Sequence, residues 1–227
     1  MPRHLSALVL GLLIALSGTA SSRAEPVDLN LALAVDASGS VDQRRFELQK
    51  RGYAAAFRNP RVWRAIHSGM IGAIAVTMYQ WTGPRLQSEA VGWMIVRDQD
   101  SAEAFAAAIE AAPRRLFGGG TSISGAIDRG VALMASAPNE PTRRVIDVSG
   151  DGANTSGREA STARDEAVKK GIVINGLPIL SVEPFLDRHY EEEVIGGEGA
   201  FMIAVRDYDA FGDAILRKLI AEIASLE

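Results

Sequence analysis

Apolar positions along the chain follow two alternating rhythms. Val27–Val35 (VDLNLALAV) is a short, mostly apolar run of the kind that fills a buried strand. After it, Phe46, Leu48, Tyr53, Ala54 and Phe57 recur at helical spacings and predict a helix over 42–58. Ile71–Trp81 (IGAIAVTMYQW) predicts a second strand and Glu89–Val96 a third, with seven residues between them. A parallel crossover needs about a dozen residues or more, so these two strands should pair antiparallel. Helices follow at 102–112, stopped by Pro113, and at 122–135. Strands at Arg144–Ser149, Ile172–Leu177 and Phe201–Val205 then alternate with helices over 158–170, 182–194 and 208–226. The last helix carries Phe211, Ile215, Leu219 and Ile223 four apart, a stripe suited to core packing. The pattern predicts an α/β fold: a doubly wound, mostly parallel six-stranded sheet with one antiparallel edge strand and helices on both faces.

The first 24 residues follow a different rule. Arg3 and His4 precede an apolar run from Leu5 to Leu16, and Ser22-Arg23-Ala24 ends the segment with small side chains. This is the layout of a secretory signal peptide cleaved after Ala24, and the run is short of the ~20 residues a bilayer span needs. The expectation is a leader at 1–24 and one domain over 25–227, periplasmic or secreted, with no membrane span in the mature chain. Loss of Arg3 and Arg23 would move the formal charge from −4 to −6, so no basic field draws the chain to nucleic acid. The absence of Cys excludes disulfides, a thiolate nucleophile and Cys-ligated metal, and three scattered His leave little for a His-built site.

In an open parallel sheet, ligands bind beyond the carboxyl ends of the strands. Three segments stand there: Asp36-Ala37-Ser38-Gly39-Ser40, Gly118-Gly119-Gly120-Thr121-Ser122, and Ser149-Gly150-Asp151-Gly152. They bring oxygen donors only, two carboxylates and several hydroxyls, which suits a hard divalent cation such as Mg²⁺. Held mainly by hydroxyls, such a cation stays electrophilic and seeks a further anionic oxygen. Each segment also has a plain explanation. Ser40 with Gln43 fits a helix capping box, Thr121 or Ser122 can cap the next helix, and Asp151-Gly152 is a common turn pair. Their joint placement, each at the end of a strand or at the start of the following helix, favours the metal.

Asp36-x-Ser38-x-Ser40, then Thr121, then Asp151-Gly152, resembles the metal-ion-dependent adhesion site of von Willebrand factor type A domains. The resemblance covers essentially the whole mature chain. It implies Mg²⁺ (or Mn²⁺) held by Ser38 and Ser40 directly, by Asp36 and Asp151 mainly through water, and by Thr121 in a state-dependent way. It further implies a partner protein whose Glu or Asp completes the shell, and a final helix that shifts on ligand binding. The expected function is a non-enzymatic, metal-dependent protein-binding domain.

The rival is a Mg²⁺-dependent phosphoester hydrolase using Asp36 and Asp151. Against it, the three segments supply no Lys or Arg to neutralise phosphate, and no His to activate a serine. Asp147 departs from the apolar pattern of its strand, and pairing with an Arg is its simplest explanation. Asn154-Thr155-Ser156 extends the polar rim, as a specificity element or a solvated loop. Trp81 fits core packing better than ligand contact. The arginine pairs 44–45 and 114–115 read as solvated helix ends or partner contacts, and His189 as a surface or core-edge residue.

Overall fold

The computed structural model describes residues 24–224. The predicted leader, apart from Ala24, and the last two residues of the predicted final helix lie outside them. Five strands, β1 (Glu25–Asp36), β2 (Ile74–Trp81), β3 (Gln87–Val96), β4 (Asn139–Gly150) and β5 (Val173–Pro178), form one sheet in the order β3-β2-β1-β4-β5. All neighbours are parallel except β2 and β3, whose antiparallel pairing follows from their short connection.

β1 shows why this sheet is covered twice. Leu29, Leu31, Leu33 and Val35 point to one core and Ala32 and Ala34 to the other, the period of two that any strand imposes. The first core is closed by α1 (Gln43–Arg58), α2 (Pro60–His67), α3 (Gln99–Ala111) and α7 (Phe211–Ala224), through Tyr53, Phe57, Val62, Phe105, Phe211, Ile215 and Leu219. The second is closed by α4 (Ile123–Ala135), α5 (Ala160–Lys169) and α6 (Leu186–His189), which runs on into a π-helical turn at Tyr190–Val194. Fully burying one such large apolar side chain contributes roughly 1.5–3 kcal/mol, so the stripe on α7 holds that helix firmly.

Three elements differ from the sequence expectation. α2 lies in a stretch for which no element was expected; Asn59 caps it, its side chain accepting from the Arg61 N–H, with Pro60 at the first position. β4 begins five residues earlier than expected, since Asn139–Pro141 pair with Glu25–Val27 of β1 despite their alternating polarity. The expected sixth strand, Phe201–Val205, is not a strand, and the sheet has five. That segment meets β5 and the residue just after it through isolated bridges, Gly176 with Met202 and Ile179 with Val205. Gly196 takes the β5 edge at Ile174 from the opposite direction, and the Phe201 N–H goes to the Asn175 side chain, so no continuous ladder forms. A cavity of about 600 Å³ opens here, lined in part by Arg143, Asn175, Phe201 and Glu222, none of which is a predicted site residue.

Candidate metal centre

β1 is followed in the chain by elements leading to β2 on one side, while β4 lies on its other side. The carboxyl ends of β1 and β4 therefore flank the point where strand order reverses, the crevice where open sheets bind ligands. Val35 is in register with Ser149, so Asp36 and Asp151 emerge side by side. Gly150 between them faces inward. A Cβ there would lie 3.0 Å from Asp36 Oδ2 and 3.0 Å from the Trp81 ring, so a larger residue would press the carboxylate and the indole apart by a few tenths of an ångström. Trp81 is fully buried and serves as that wall.

Asp36 stitches the two loops. Its Oδ1 accepts from the Ser38 N–H at 2.7 Å and its Oδ2 from the Asp151 N–H at 3.3 Å. Ser38 Oγ lies 3.2 Å from Ser40 Oγ, and Ser40 Oγ donates to Asp151 Oδ1 at 2.5 Å. Asp36, Ser38 and Asp151 are buried while Ser40 is exposed, so the cluster opens to solvent on one side. The capping explanation for Ser40 falls away, because Asp42 caps α1 by accepting from the Arg45 N–H at 2.7 Å. Likewise Ser122 caps α4, accepting from the Gly125 N–H, and the neighbouring Thr121 is not the cap.

Thr121 arrives from a third direction. Gly119 and Gly120 adopt φ of +112° and +86°, a left-handed conformation that glycine takes without strain. The Thr121 carbonyl accepts from the backbone N–H groups of Thr155 and Ser156, which ties this loop to the one after β4. A Cβ built on Gly152 would stand 3.6 Å from Thr121 Oγ1, so the hydroxyl borders the Asp151-Gly152 turn. The structure thus brings Asp36, Ser38, Ser40 and Asp151 into one bonded cluster and sets Thr121 beside it.

Electrostatics favour a cation. Burial, reinforced by the Asp151 charge, pushes the Asp36 carboxyl up to about 7, against the hydrogen bonds it accepts. Two buried carboxylates side by side are uncomfortable without a positive charge between them. Among the described residues Asp151 has one ion-pair partner, Arg45, whose Nη1 stands 3.4 Å from Oδ2 and donates to the Ser40 carbonyl at 2.7 Å. Tyr208 donates its hydroxyl to the same Oδ2 at 2.9 Å. Burial and the nearby Asp151 charge raise the phenol far above its ordinary range, so it remains a donor. Among the described residues no group of three or more His, Cys, Asp and Glu side chains could hold a metal. The cluster at the crevice is built of hydroxyls and carboxylates, and its all-oxygen chemistry fits a hard divalent cation.

Sequence reasoning missed several neighbours. Arg45 and Arg114 are not simply solvated helix ends. Arg114 donates to the carbonyls of Ala37 and Val41, bracing the loop that carries Ser38 and Ser40. The rim therefore does hold guanidinium groups, brought from outside the three segments. Glu183, assigned to a helix, sits in the loop after β5 and accepts from the Ala153 N–H at 3.1 Å. Asn154 is a brace rather than a free rim residue: its side chain bonds the Ser124 N–H and the Arg158 carbonyl, and its N–H donates to His189 Nε2. No spacing in the sequence pointed to these contacts, which join residues 30 or more positions apart in most cases.

Asp147 pairs with a lysine, not an arginine. Lys218 of α7 lies 2.7 Å from Asp147 Oδ1 and also bonds Glu222, all three being buried in the first core. Asn175 donates to Glu222 at 3.0 Å, and Lys218 lies over the Phe201 ring. Burial alone would push Lys218 down, but Asp147 and Glu222 hold its ammonium above the ordinary range.

Comparison with solved structures places the fold. The mussel byssus proximal thread matrix protein 1, in a form with a zinc-occupied MIDAS motif, superposes with a TM-score of 0.60 at 16% identity, covering 87% of this chain and 46% of that one. A von Willebrand factor type A protein from Catenulispora acidiphila gives 0.60 at 15% identity, covering 87% and 43%. The manganese-loaded TRAP protein of Plasmodium vivax gives 0.54 at 14% identity, covering 87% and 73%. The chain spans less than half the length of the first two. No curated protein matches the sequence. The family model described as "Protein of unknown function (DUF1194)" matches residues 26–227, so the chain belongs to that family, and its fold is that of von Willebrand factor type A domains.

Proposed function

We propose that this protein is a metal-dependent protein-binding domain in which a divalent cation, Mg²⁺ or Mn²⁺, bridges to a Glu or Asp of a partner. The observation that carries the reading is the meeting of Asp36, Ser38, Ser40 and Asp151 through contacts of 2.5–3.3 Å at the β1/β4 crevice, from loops more than a hundred residues apart. Ser38, Ser40, Asp36, Asp151 and Thr121 would hold the ion. Bound there, it would supply a Lewis-acidic site for an outside carboxylate. The zinc and manganese named for two similar structures support a divalent ion in such a crevice.

The chain's own residues prepare the site. Asp36 locks the serine loop to the β4 turn, Arg114 braces that loop from below, and Tyr208 orients Asp151. Asp36 and Asp151 act as a rigid, buried negative base rather than as reagents. The Asp36 oxygens are engaged by backbone N–H groups, and the Asp151 oxygens by Ser40, Tyr208 and Arg45. That arrangement suits a fixed anionic platform for an ion, and Arg45 supplies a cation that the three motif segments lack. We also assign residues 1–24 as the leader and the mature chain, 25–227, to the periplasm or the exterior. No helix of the described residues is long and apolar enough to cross a membrane.

The test is capture from the native envelope with and without Mg²⁺, using Ser38→Ala as control. The expected result is a folded variant that no longer retains a Mg²⁺-dependent partner. Unchanged capture in EDTA would refute the metal bridge, and Mg²⁺-dependent phosphoester turnover abolished by Asp36→Asn would establish the rival.

A further inference from the structure

Large apolar side chains exposed to solvent are informative when they cluster. Among the described residues six are exposed, and four of them, Leu86, Phe117, Val182 and Phe185, stand on loops around the candidate metal centre. Phe117 and Phe185 are each 68% exposed. Each can be placed by its neighbours. Leu86 lies against Gly119, two residues before Thr121. Phe117 stacks on Arg114 at 4.9 Å, and Arg114 bonds the carbonyls of Ala37 and Val41 on either side of the serine loop. Val182 and Phe185 flank Glu183, whose carboxylate reaches the Ala153 N–H just past the Asp151-Gly152 turn. Two apolar lips thus border the crevice, Leu86 and Phe117 on one loop pair, Val182 and Phe185 on another.

The lips carry positive charge. Arg114 lies over the Phe117 ring and Arg188 over the Phe185 ring, at 4.9 and 5.1 Å. Arg114 spends its Nε and Nη2 on the carbonyls of Leu116, Ala37 and Val41 and so contributes charge. Arg188 adds a guanidinium on the other ring, and with Arg85 and Arg115 they outnumber Glu183 and Asp187 on the same loops. Resting on the metal-bridge reading, we propose that the partner's contact segment is a single acidic residue with bulky apolar side chains on both sides. The acid faces the crevice, and its apolar neighbours cover Phe117 and Phe185. The complement is an acidic, apolar protein segment: the stacked guanidiniums disfavour a basic one, and a purely polar acidic one leaves both rings in water.

The experiment measures binding of two fluorescein-labelled peptides, Gly-Leu-Phe-Glu-Phe-Leu-Gly and Gly-Ser-Ser-Glu-Ser-Ser-Gly, by anisotropy in Mn²⁺ or Mg²⁺ and in EDTA. The first should bind about tenfold or more tightly than the second, given the apolar area available on two rings. Phe117→Ser with Phe185→Ser should remove that difference, while Mn²⁺ binding by calorimetry and the unfolding temperature stay unchanged. Equal, metal-dependent binding of both peptides would overturn the apolar lips and leave the metal bridge standing. Binding of neither peptide in either metal would overturn both. Binding of the apolar peptide that persists in EDTA would also sink the proposal, by showing an apolar surface independent of the acid.

Discussion

Replacing Lys218 by Met tests how α7 is fastened to the sheet. The side chain keeps much of its length and its apolar stem, but its ammonium no longer faces Asp147 at 2.7 Å or Glu222. Both carboxyls are fully buried, and removing one partner of a buried ion pair typically costs about 3–5 kcal/mol. For a domain of this size each kcal/mol lowers Tm by about 2–4 °C, so a drop of roughly 6–20 °C is expected. The loss also depends on pH, with a definite sign. Burial and the Asp147 charge raise Glu222 from 4.5 to about 7, so between those values the folded protein binds more protons than the unfolded one. Its contribution therefore favours folding below about 4.5 and is lost as the pH climbs through about 7. Without the lysine, both carboxyls rise further and take up protons to stay buried. The destabilisation should thus be larger near pH 8 than near pH 5. Thermal unfolding followed by far-UV circular dichroism at both pH values reads this directly. Adding Asp147→Asn and Glu222→Gln to the variant should restore part of the loss. A Tm within about 2 °C of wild type, or a loss identical at both pH values, would refute the reasoning.

Other expectations concern the site. Gly150→Ala places a Cβ 3.0 Å from Asp36 Oδ2 and from Trp81, so it should cost about 1–3 kcal/mol of stability and weaken Mn²⁺ binding measured by calorimetry. Arg45→Gln removes the guanidinium 3.4 Å from Asp151, and Mn²⁺ affinity should then rise about threefold or more, because two like charges no longer compete for one carboxylate. Unaltered affinity would show that Arg45 swings clear before a metal arrives. Tyr208 links Asp151 to the segment leading into α7, so Tyr208→Phe should loosen any coupling between metal binding and that helix. Hydrogen exchange along 211–224 with and without Mn²⁺ reads it: metal-induced change in the wild type should shrink in the variant.

Much of this molecule could be read one segment at a time. Alternating Leu and Ala in β1, the four-residue stripe on α7 and the short β2–β3 connection dictated strand, helix and antiparallel pairing, because local spacing determines which face a side chain occupies. The five candidate oxygen-bearing side chains could likewise be picked out from their positions after β1, after β4 and just before α4, and the structure gathers four of them into one bonded cluster. Other features were settled only when distant segments met. The missing sixth strand reflects Gly196 and Asn175 claiming backbone groups that a ladder would use. Asp147 found Lys218 seventy-one residues away on α7, a pairing no spacing could reveal. Arg45, Arg114, Tyr208 and Glu183 became part of the site because helices and loops fold over the crevice from outside the motif. A motif names the groups that touch an ion; burial, charge balance and the contacts that brace those groups belong to the packed molecule.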